Sequence, residues 1–375
     1  MRPRARILPL LIAVVGAIAS PVWADEIPAS KAVADPGGNV LWYDIRLLHV
    51  EGRGWTDTKA FFDRLPARAE GLVRDPVWQL SRNSSGMCVR FATNATSMHA
   101  RWTLTSAMLS VPHMPTTGYS GLDLYVKHDG KWRWLTNGIP TGKQSSVMLA
   151  STIPATEHEF LLYLPLSNGV SSVEIGLPKN ARLTAIKPKE GATKPIVFYG
   201  TSITQGGCAS RPGMVHTAIL GRRLDVPVIN LGFSGNGRME PDVAKLLAEL
   251  DPSVYVIDCL PNMSAGEVAR HTEPLVRVLR KAHADTPILL VEDRTFANAF
   301  FSAERQAHHQ ASRAALRGAF DRLTQARVKN LHYLPGDQLL GDDGEATVDG
   351  SHPTDLGFLR MADVFEPALK PLLGK

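Results

Sequence analysis

Cysteine is scarce in this chain of 375 residues, and the three that occur form no metal-binding or redox motif. They are Cys88, Cys208 and Cys259, and no two of them stand in a CxxC pair. An odd number leaves at least one thiol free, and nothing specific supports a bridge between Cys88 and Cys208. Cys259 ends an apolar run, so we expect it to fill buried space.

The motifs of several well-known enzyme classes are also absent. Neither HExxH nor another cluster of metal ligands occurs, and His308 and His309 are neighbours that point to different faces of a predicted helix. The phosphate-binding pattern G-x-x-x-x-G-K-[ST] is missing, and the glycines from Gly232 to Gly237 have the wrong spacing for a dinucleotide site. The elbow G-x-S-x-G is missing because Asn236 stands where its last glycine belongs. We therefore expect neither a metal nor a cofactor.

A strong excess of charge is lacking as well. The formal net charge is +5. Three of these positive charges, Arg2, Arg4 and Arg6, lie in the first 24 residues, which contain no acidic residue, so the rest of the chain carries about +2. No lysine–arginine cluster with interleaved aromatic residues occurs, and nucleic acid is not an expected partner.

Only one stretch is apolar enough to interact with a membrane, and it lies near the start. Ile7 to Ser20 is almost entirely apolar, and Val22-Trp23-Ala24 then has small residues at both cleavage-recognition positions. This arrangement predicts a secretory signal peptide over residues 1–24, cleaved near Ala24. A membrane anchor is the alternative, but 14 residues are short for a span. We expect export to the periplasm or the extracellular space, without stable insertion in a membrane.

Residues 25–188 read as a series of short strands separated by turns. In "GLDLYVKHDGKWRWLTN", two alternating segments flank Asp129-Gly130, which predicts a hairpin. Strands at such regular spacing favour an all-β sandwich of the jelly-roll kind. The polar stretch from Lys187 to Pro195 is rich in lysine, proline and glycine and predicts a linker.

Residues 189–375 alternate between apolar strands and helices. Strands that are apolar throughout are covered on both faces, so the pattern predicts a parallel sheet in a three-layer α/β/α domain. The predicted strands are 196–200, 227–231, 253–259, 287–292 and 331–334. The predicted helices lie near 213–223, 241–249, 265–284, 303–327 and 354–373.

Polar residues follow the ends of these predicted strands. Open parallel sheets bind their ligands at the carboxyl edge, so we expect these residues to share one site. In chain order they are Ser202, the glycine-rich stretch Asn230 to Gly237, Asn262, Glu292-Asp293-Arg294, and the pair Asp349 and His352 before the last helix.

This set contains the groups that attack an ester carbonyl. A serine needs a base within hydrogen-bond reach, and His352 would supply it while Asp349 orients the imidazole. The attack creates an oxyanion, which the Ser202 N–H, the Gly235 N–H and the Asn262 amide would receive.

Each residue alone also has a simpler interpretation. Ser202 would serve as a helix cap, His352 as a surface residue and Asn262 as an Asx turn that ends its strand. Glu292 and Asp293 would either contact substrate at this edge or form an internal salt-bridge cluster, and Arg211 would either line the pocket or only begin a helix.

Four segments together resemble the conserved blocks of the SGNH (GDSL-like) hydrolases: "FYGTSITQG", "NLGFSGNG", "LPNM" and "DGSHPT". The resemblance implies a flavodoxin-like α/β/α fold and metal-free ester hydrolysis. Position by position, it implies Ser202 as nucleophile, Gly235 and Asn262 as oxyanion donors beside the serine's own N–H, and Asp349 and His352 as the other triad members. Two blocks depart from the usual form: Gly-Thr-Ser-Ile replaces Gly-Asp-Ser-Leu, and Met263 replaces the acid that usually follows the asparagine.

"GLDLYV" (residues 121–126) resembles the GxDLY β-sandwich domain that precedes such hydrolase domains in exported bacterial proteins. This resemblance implies a secreted esterase that removes acyl groups, above all acetyl, from carbohydrate. The alternatives are a lipase or thioesterase, and a non-catalytic carbohydrate-binding protein, which would have a broken triad. Some aromatic residues of the first domain would stack on sugar or belong to its core: Trp102, Tyr119, Tyr125, Trp132 and Trp134.

Overall fold

The computed structural model describes residues 25–187 and 194–374. The predicted signal peptide over residues 1–24 and most of the predicted linker lie outside the described residues. Within the described part of the chain, no helix is long and apolar enough to cross a bilayer.

Two antiparallel sheets form the first domain, which confirms the predicted sandwich. Their strand orders are β1-β2-β10-β5-β8 and β11-β4-β9-β6-β7, with β3 beside β4. Buried side chains of both sheets, such as Trp102 and Phe160, form one core. The strands are β1 (Val33–Ala34), β2 (Val40–Asp44), β3 (Val50–Glu51), β4 (Cys88–Thr93), β5 (Met98–Leu104), β6 (Leu122–His128), β7 (Lys131–Gly138), β8 (Gln144–Ala150), β9 (His158–Tyr163), β10 (Val170–Pro178) and β11 (Leu183–Ala185).

The predicted hairpin is present as β6 and β7, which pair in antiparallel register. Asp129 and Gly130 form its turn with φ angles of 50° and 72°. Two successive left-handed residues are what a tight hairpin turn requires, and Asp-Gly is among the sequences that adopt them at little cost.

Two helices in this half were not apparent from the sequence: α1 (Asp75–Ser81) and α2 (Thr116–Tyr119). The segment between β3 and β4 leaves the sandwich, and Val77 and Trp78 of α1 join a core that belongs mainly to the second domain. A helix of seven residues is too short for its periodicity to be recognised in the sequence, and its apolar face is covered by residues distant in the chain.

The second domain has a parallel sheet with helices on both faces, as predicted. The strands are β12 (Ile196–Gly200), β13 (Val228–Gly232), β14 (Val254–Asp258), β15 (Ile288–Val291) and β16 (Leu331–Leu334). The helices are α3 (Ser202–Gln205), α4 (His216–Leu224), α5 (Pro241–Leu247), α6 (Ala265–Ala282), α7 (Ala303–Gln325) and α8 (Asp355–Leu369). Helices α5, α6 and α7 pack on one face of the sheet, and α4 and α8 pack on the other.

The strand order of this sheet is β13-β12-β14-β15-β16. Counted from its first strand this is 2-1-3-4-5, the flavodoxin-like order, whose switch point lies between the first and third strands. Ser202 follows β12 and Asn262 follows β14, so both lie where ligands bind in this fold.

Candidate active site

Ser202 is the first residue of α3, and the helix cap is its neighbour Thr201. The Thr201 hydroxyl accepts a hydrogen bond from the Ile203 N–H at 3.2 Å, so the capping role is already filled. The turn before it needs glycine, because a Cβ on Gly200 would lie 2.0 Å from the Thr204 hydroxyl. The Ser202 side chain is therefore free for another partner, and its N–H is among the helix N–H groups without an acceptor inside the helix.

That partner is His352. Ser202 Oγ lies 2.8 Å from His352 Nε2, and His352 Nδ1 lies 2.8 Å from Asp349 Oδ2. A carboxylate only accepts, so Nδ1 carries the proton and Nε2 is the acceptor for the serine hydroxyl. The structure thus joins three residues from two distant parts of the chain in a continuous hydrogen-bonded relay.

The Asp349 carboxyl is held in its ionised form. Partial burial would raise its pKa, but hydrogen bonds from the His352 backbone and ring and from the Ser351 N–H lower the pKa to about 2. The Ser351 and His352 N–H groups donate to Asp349 Oδ1 at 2.9 and 2.8 Å. A fixed negative charge at this position orients the imidazole and stabilises its protonated form.

Arg294 anchors the loop that carries Asp349 and His352. Its Nε donates to the Ser351 carbonyl at 3.1 Å, and its Nη atoms bind the Ser351 hydroxyl and the Asp293 carboxylate. The side chain is only 2% exposed. The preceding loop adds a second tie, since the Ala297 N–H donates to the Gly350 carbonyl at 2.9 Å.

Glu292 and Asp293, for which the sequence left substrate contact and an internal salt-bridge cluster open, are buried in internal contacts. Asp293 binds Arg294 and lies 3.3 Å from His309 Nδ1, and these neighbours hold its pKa below the ordinary value although burial opposes this. Glu292 accepts from the Gly336 N–H at 2.9 Å and from the Tyr333 hydroxyl. The internal salt-bridge alternative is therefore the correct one, since burial and existing partners leave these carboxylates unable to reach a ligand.

Arg211 is also held away from the role of a substrate contact. Its guanidinium donates to Asp123, the aspartate of the GLDLY segment, at 3.0 Å and also binds Tyr125. Asp123 is fully buried and accepts in addition from the Gly213 N–H at 2.8 Å and from Trp134 Nε1 at 2.9 Å. The GLDLY segment thus joins the two domains through Arg211.

The aromatic residues of the first domain are mostly structural. Trp102 and Tyr125 are buried, and Trp132 is partly buried against the domain interface. Trp134 is 49% exposed but is held by Asp123 and by Arg211, whose guanidinium carbon lies 5.0 Å from the ring centre.

Gly235 and Asn262 lie on segments that are tied to each other and to the serine turn. Asn262 Oδ1 accepts from the Gly237 N–H at 3.2 Å, which leaves the amide NH₂ of Asn262 as its donor end. A Cβ on Gly237 would lie 2.1 Å from the Gly200 carbonyl oxygen, so this loop contacts the end of β12 directly. Gly235 itself has a φ of 70°, and its backbone therefore adopts the left-handed conformation that glycine accepts most readily.

Arg64, which the sequence did not single out, supports the start of the same glycine loop from the first domain. Its guanidinium donates to the carbonyls of Asn230 and Gly232 at 3.0 and 2.7 Å, and burial lowers its pKa to about 9. Nothing in the local pattern could have identified this role, because Asn230 and Gly232 lie 166 and 168 residues further along the chain.

A loop of the first domain lies beside the imidazole. The ring centres of His113 and His352 are 6.1 Å apart. The loop carries no motif or periodicity, so no local pattern could place it next to His352.

The three cysteines are buried and unpaired, so the bridge considered between Cys88 and Cys208 is not formed. Among residues 25–187 and 194–374, no group of three or more histidine, cysteine, aspartate or glutamate residues is arranged to hold a metal ion.

Comparisons with known proteins match both halves of the chain. The model of the GDSL-like lipase/acylhydrolase family matches residues 193–370, and a model of the N-terminus of SGNH-hydrolase-type esterases matches residues 40–183. A crystal structure from Bacteroides ovatus, assigned as a GDSL-like lipase, is 36% identical, with a TM-score of 0.85 over 89% of this chain and 98% of that chain. A search of curated proteins found no match.

Two more distant structures share the fold. The salicylyl-acyltransferase SsfX3 from a tetracycline biosynthetic pathway is 16% identical, with a TM-score of 0.68 over 91% of this chain and 97% of that chain. A family two carbohydrate esterase from Clostridium thermocellum, in complex with cellohexaose, is 15% identical, with a TM-score of 0.53 over 77% of this chain and 95% of that chain.

Proposed function

The chain belongs to the GDSL-like lipase/acylhydrolase family and is a serine ester hydrolase of the SGNH type, and we propose that it removes acetyl groups from carbohydrate through Ser202, His352 and Asp349. The observation that carries this proposal is the hydrogen-bonded relay, with 2.8 Å from Ser202 Oγ to His352 Nε2 and 2.8 Å from His352 Nδ1 to Asp349. The intact relay argues against a non-catalytic carbohydrate-binding protein.

In the first half of the reaction, His352 Nε2 takes the proton of Ser202 as Oγ attacks the ester carbonyl. The imidazolium is stabilised by the ionised Asp349. The bond from the carbonyl carbon to the alcohol oxygen then breaks, and His352 gives its proton to that oxygen. The alcohol leaves, and the acyl group stays on Ser202.

In the second half, a water molecule attacks the acyl-enzyme. His352 takes one proton of the water as the new carbon–oxygen bond forms, and returns it to Ser202 Oγ as the bond between carbon and Oγ breaks. The products of the cycle are one carboxylic acid and one alcohol for each ester and water consumed.

Both tetrahedral intermediates carry an oxyanion, which three donors would stabilise: the N–H groups of Ser202 and Gly235 and the side-chain NH₂ of Asn262. The hydrogen bond from the Gly237 N–H to Asn262 Oδ1 supports this assignment, because it occupies the amide oxygen and leaves the NH₂ group as the end that donates. The same hydrogen bond also holds the loop that carries Asn262. In the usual form of this sequence block an acidic residue follows the asparagine, whereas here the buried Met263 stands at that position.

Carbohydrate is the proposed alcohol because the two-domain arrangement is shared with a carbohydrate esterase that binds cellohexaose. A lipid ester is the second candidate, favoured by the 36% identical structure from Bacteroides ovatus that is assigned as a lipase. We also propose that the protein is exported, on the basis of the signal-peptide pattern in residues 1–24.

The direct test is hydrolysis of p-nitrophenyl acetate by the purified mature protein and by Ser202→Ala. The substitution removes the nucleophile and should reduce kcat by about a million-fold, to the detection limit. Ser253→Ala is the matched control, because Ser253 precedes β14 at the opposite edge of the sheet. Activity retained by folded Ser202→Ala protein would refute the mechanism.

The acyl preference is tested separately with p-nitrophenyl esters from acetyl to palmitoyl. A decline in kcat/KM with chain length is expected of an acetyl esterase. A steady rise toward palmitoyl would favour the lipid-ester candidate instead.

A further inference from the structure

The connection between β5 and β6 leaves the sandwich and crosses onto the catalytic domain. Its beginning is held by Asn168, whose amide donates to the carbonyls of Ser106 and Met108 at 3.1 and 3.0 Å. Its end contacts the second domain at backbone distance, since a Cβ on Gly118 would lie 2.2 Å from the Ala209 carbonyl oxygen. The segment is therefore anchored at both ends.

Residues 110–116 of this connection, here called the 110–116 loop, lie beside the catalytic histidine. Met114 of this loop is also close to the imidazole. A Cβ placed on Gly207 would lie 3.1 Å from the Met114 methyl carbon and 3.6 Å from the His352 ring, so both side chains border the same point. The 110–116 loop and Val348, four residues before His352, line a groove of about 690 Å³. This volume is in the range of small-molecule sites.

The chemistry of the proposed reaction indicates which half of an ester would lie here. His352 must protonate the departing alcohol oxygen, so the alcohol has to lie on the side of the imidazole. The oxyanion donors are the Ser202 N–H at the start of α3 and groups in the segments after β13 and β14, and the carbonyl oxygen points to them instead. The groove is lined by His113, whose ring centre lies 6.1 Å from that of His352, and it is therefore placed to receive the alcohol rather than the carbonyl oxygen.

The lining of the groove combines polar and apolar groups. It offers the hydroxyls of Ser110 and Thr116 and the exposed imidazole of His113, beside the apolar surfaces of Pro112, Met114 and Val348. A sugar ring presents hydroxyls at its rim and carbon–hydrogen groups on its faces, and matches both kinds of surface. A hydrocarbon chain would leave the polar groups without partners, which is unfavourable on desolvation.

We propose that the 110–116 loop binds the alcohol half of the substrate, a sugar residue, and that the first domain thereby determines which alcohol the enzyme accepts. This inference rests on the proposed ester hydrolysis at Ser202. It assigns His113 and Met114 as specificity-determining residues, contributed to the catalytic site from the other domain.

The test compares two acetyl esters that differ only in their alcohol: p-nitrophenyl acetate and a methyl xyloside that carries a single acetyl group, so that its other hydroxyls stay free. For His113→Ala and Met114→Ala, the ratio of kcat/KM for the sugar ester to kcat/KM for the aryl ester should fall about tenfold, the effect of losing one good contact. His128→Ala, at the end of β6, and Met148→Ala, on β8, replace exposed residues of the same types and should leave the ratio unchanged.

An unchanged ratio in both loop variants would overturn the inference, even if both rates fell together, because a purely structural effect slows the two esters equally. A wild-type protein that cleaves the aryl ester but not the sugar ester would also overturn it, while leaving the ester hydrolase intact. Failure of the catalytic mechanism itself is recognised separately, by Ser202→Ala retaining activity on both esters.

Discussion

Arg294 Nε donates a hydrogen bond to the backbone carbonyl of Ser351 at 3.1 Å, and this contact joins the end of β15 to the loop of Asp349 and His352. The guanidinium is buried between this loop and Asp293, which is itself paired with His309. Arg294 is therefore a positioning residue: it does not reach the reacting atoms, but it fixes the backbone from which the base projects.

Replacing Arg294 should impair catalysis more than binding. In Arg294→Ala we expect kcat to fall roughly 10- to 100-fold with little change in KM, because a displacement of the base by a fraction of an ångström is costly. Added guanidinium ion should restore part of the loss. Arg277→Ala, an exposed arginine on α6, is the control. An unchanged kcat in folded Arg294→Ala would show that the loop is held without it.

Asp349→Asn should abolish most activity while leaving the fold intact. The asparagine would stabilise the wrong tautomer of His352 and would not stabilise the imidazolium, and a loss in kcat of about 10³- to 10⁴-fold is expected. Because the Asp349 pKa is about 2, below its ordinary value of 3.8, any stability it contributes is complete above pH 3.8 and is lost as the pH falls through about 2. A loss below tenfold at pH 7 would contradict the proposed role.

His216 makes the protein sensitive to mild acid. It is fully buried against Phe358 and Phe365, and burial lowers its pKa to about 3. Above pH 6.5 the folded and unfolded forms are both neutral here. Below pH 6.5 this imidazole binds a proton in the unfolded chain but not in the folded chain, so the free energy of unfolding decreases until the pH reaches about 3.

The measurement is urea unfolding of wild type and His216→Leu at pH 7 and pH 5. Between these values the wild type should lose about 2 kcal/mol more unfolding free energy than the variant, which has no imidazole to protonate. His128→Leu, which removes an exposed histidine, should retain the wild-type pH dependence. Equal losses in wild type and His216→Leu would show that His216 is not the group responsible.

The two glycines of the loop after β13 should differ in their tolerance of alanine. A Cβ on Gly237 would lie 2.1 Å from the Gly200 carbonyl oxygen, whereas a Cβ on Gly235 would meet no atom within 4 Å beyond its chain neighbours and would bear only the cost of the positive φ. That cost is about 1–2 kcal/mol. Thermal unfolding should therefore show a larger decrease in Tm for Gly237→Ala than for Gly235→Ala, and the reverse order would contradict the packing described.

The α/β half of the fold was predictable because its strands are apolar throughout and its helices are long. Once the sheet was recognised as parallel, the rule that ligands bind at the carboxyl edge brought Ser202, Asn262 and His352 to one place. What this rule could not distinguish is which way a side chain points after its strand ends. Glu292 and Asp293 follow β15 at that same edge, yet both turn into the protein to meet partners.

Contacts between the domains were beyond the reach of local patterns. Arg64 donates to the Asn230 carbonyl and Arg211 donates to Asp123, and the members of each pair are separated by about 90 residues or more in the sequence. The 110–116 loop has neither periodicity nor a motif, and only the folded chain places His113 next to His352.

The proposed mechanism requires that Ser202 becomes covalently acylated, and covalent labelling of the intact protein shows whether this serine is the nucleophile. A fluorophosphonate ester should modify the wild type once, on the peptide that contains Ser202, and peptide mass spectrometry identifies the site. We expect that Ser202→Ala is not labelled and that Asp349→Asn is labelled far more slowly. Labelling at another residue, or undiminished labelling of Ser202→Ala, would contradict it.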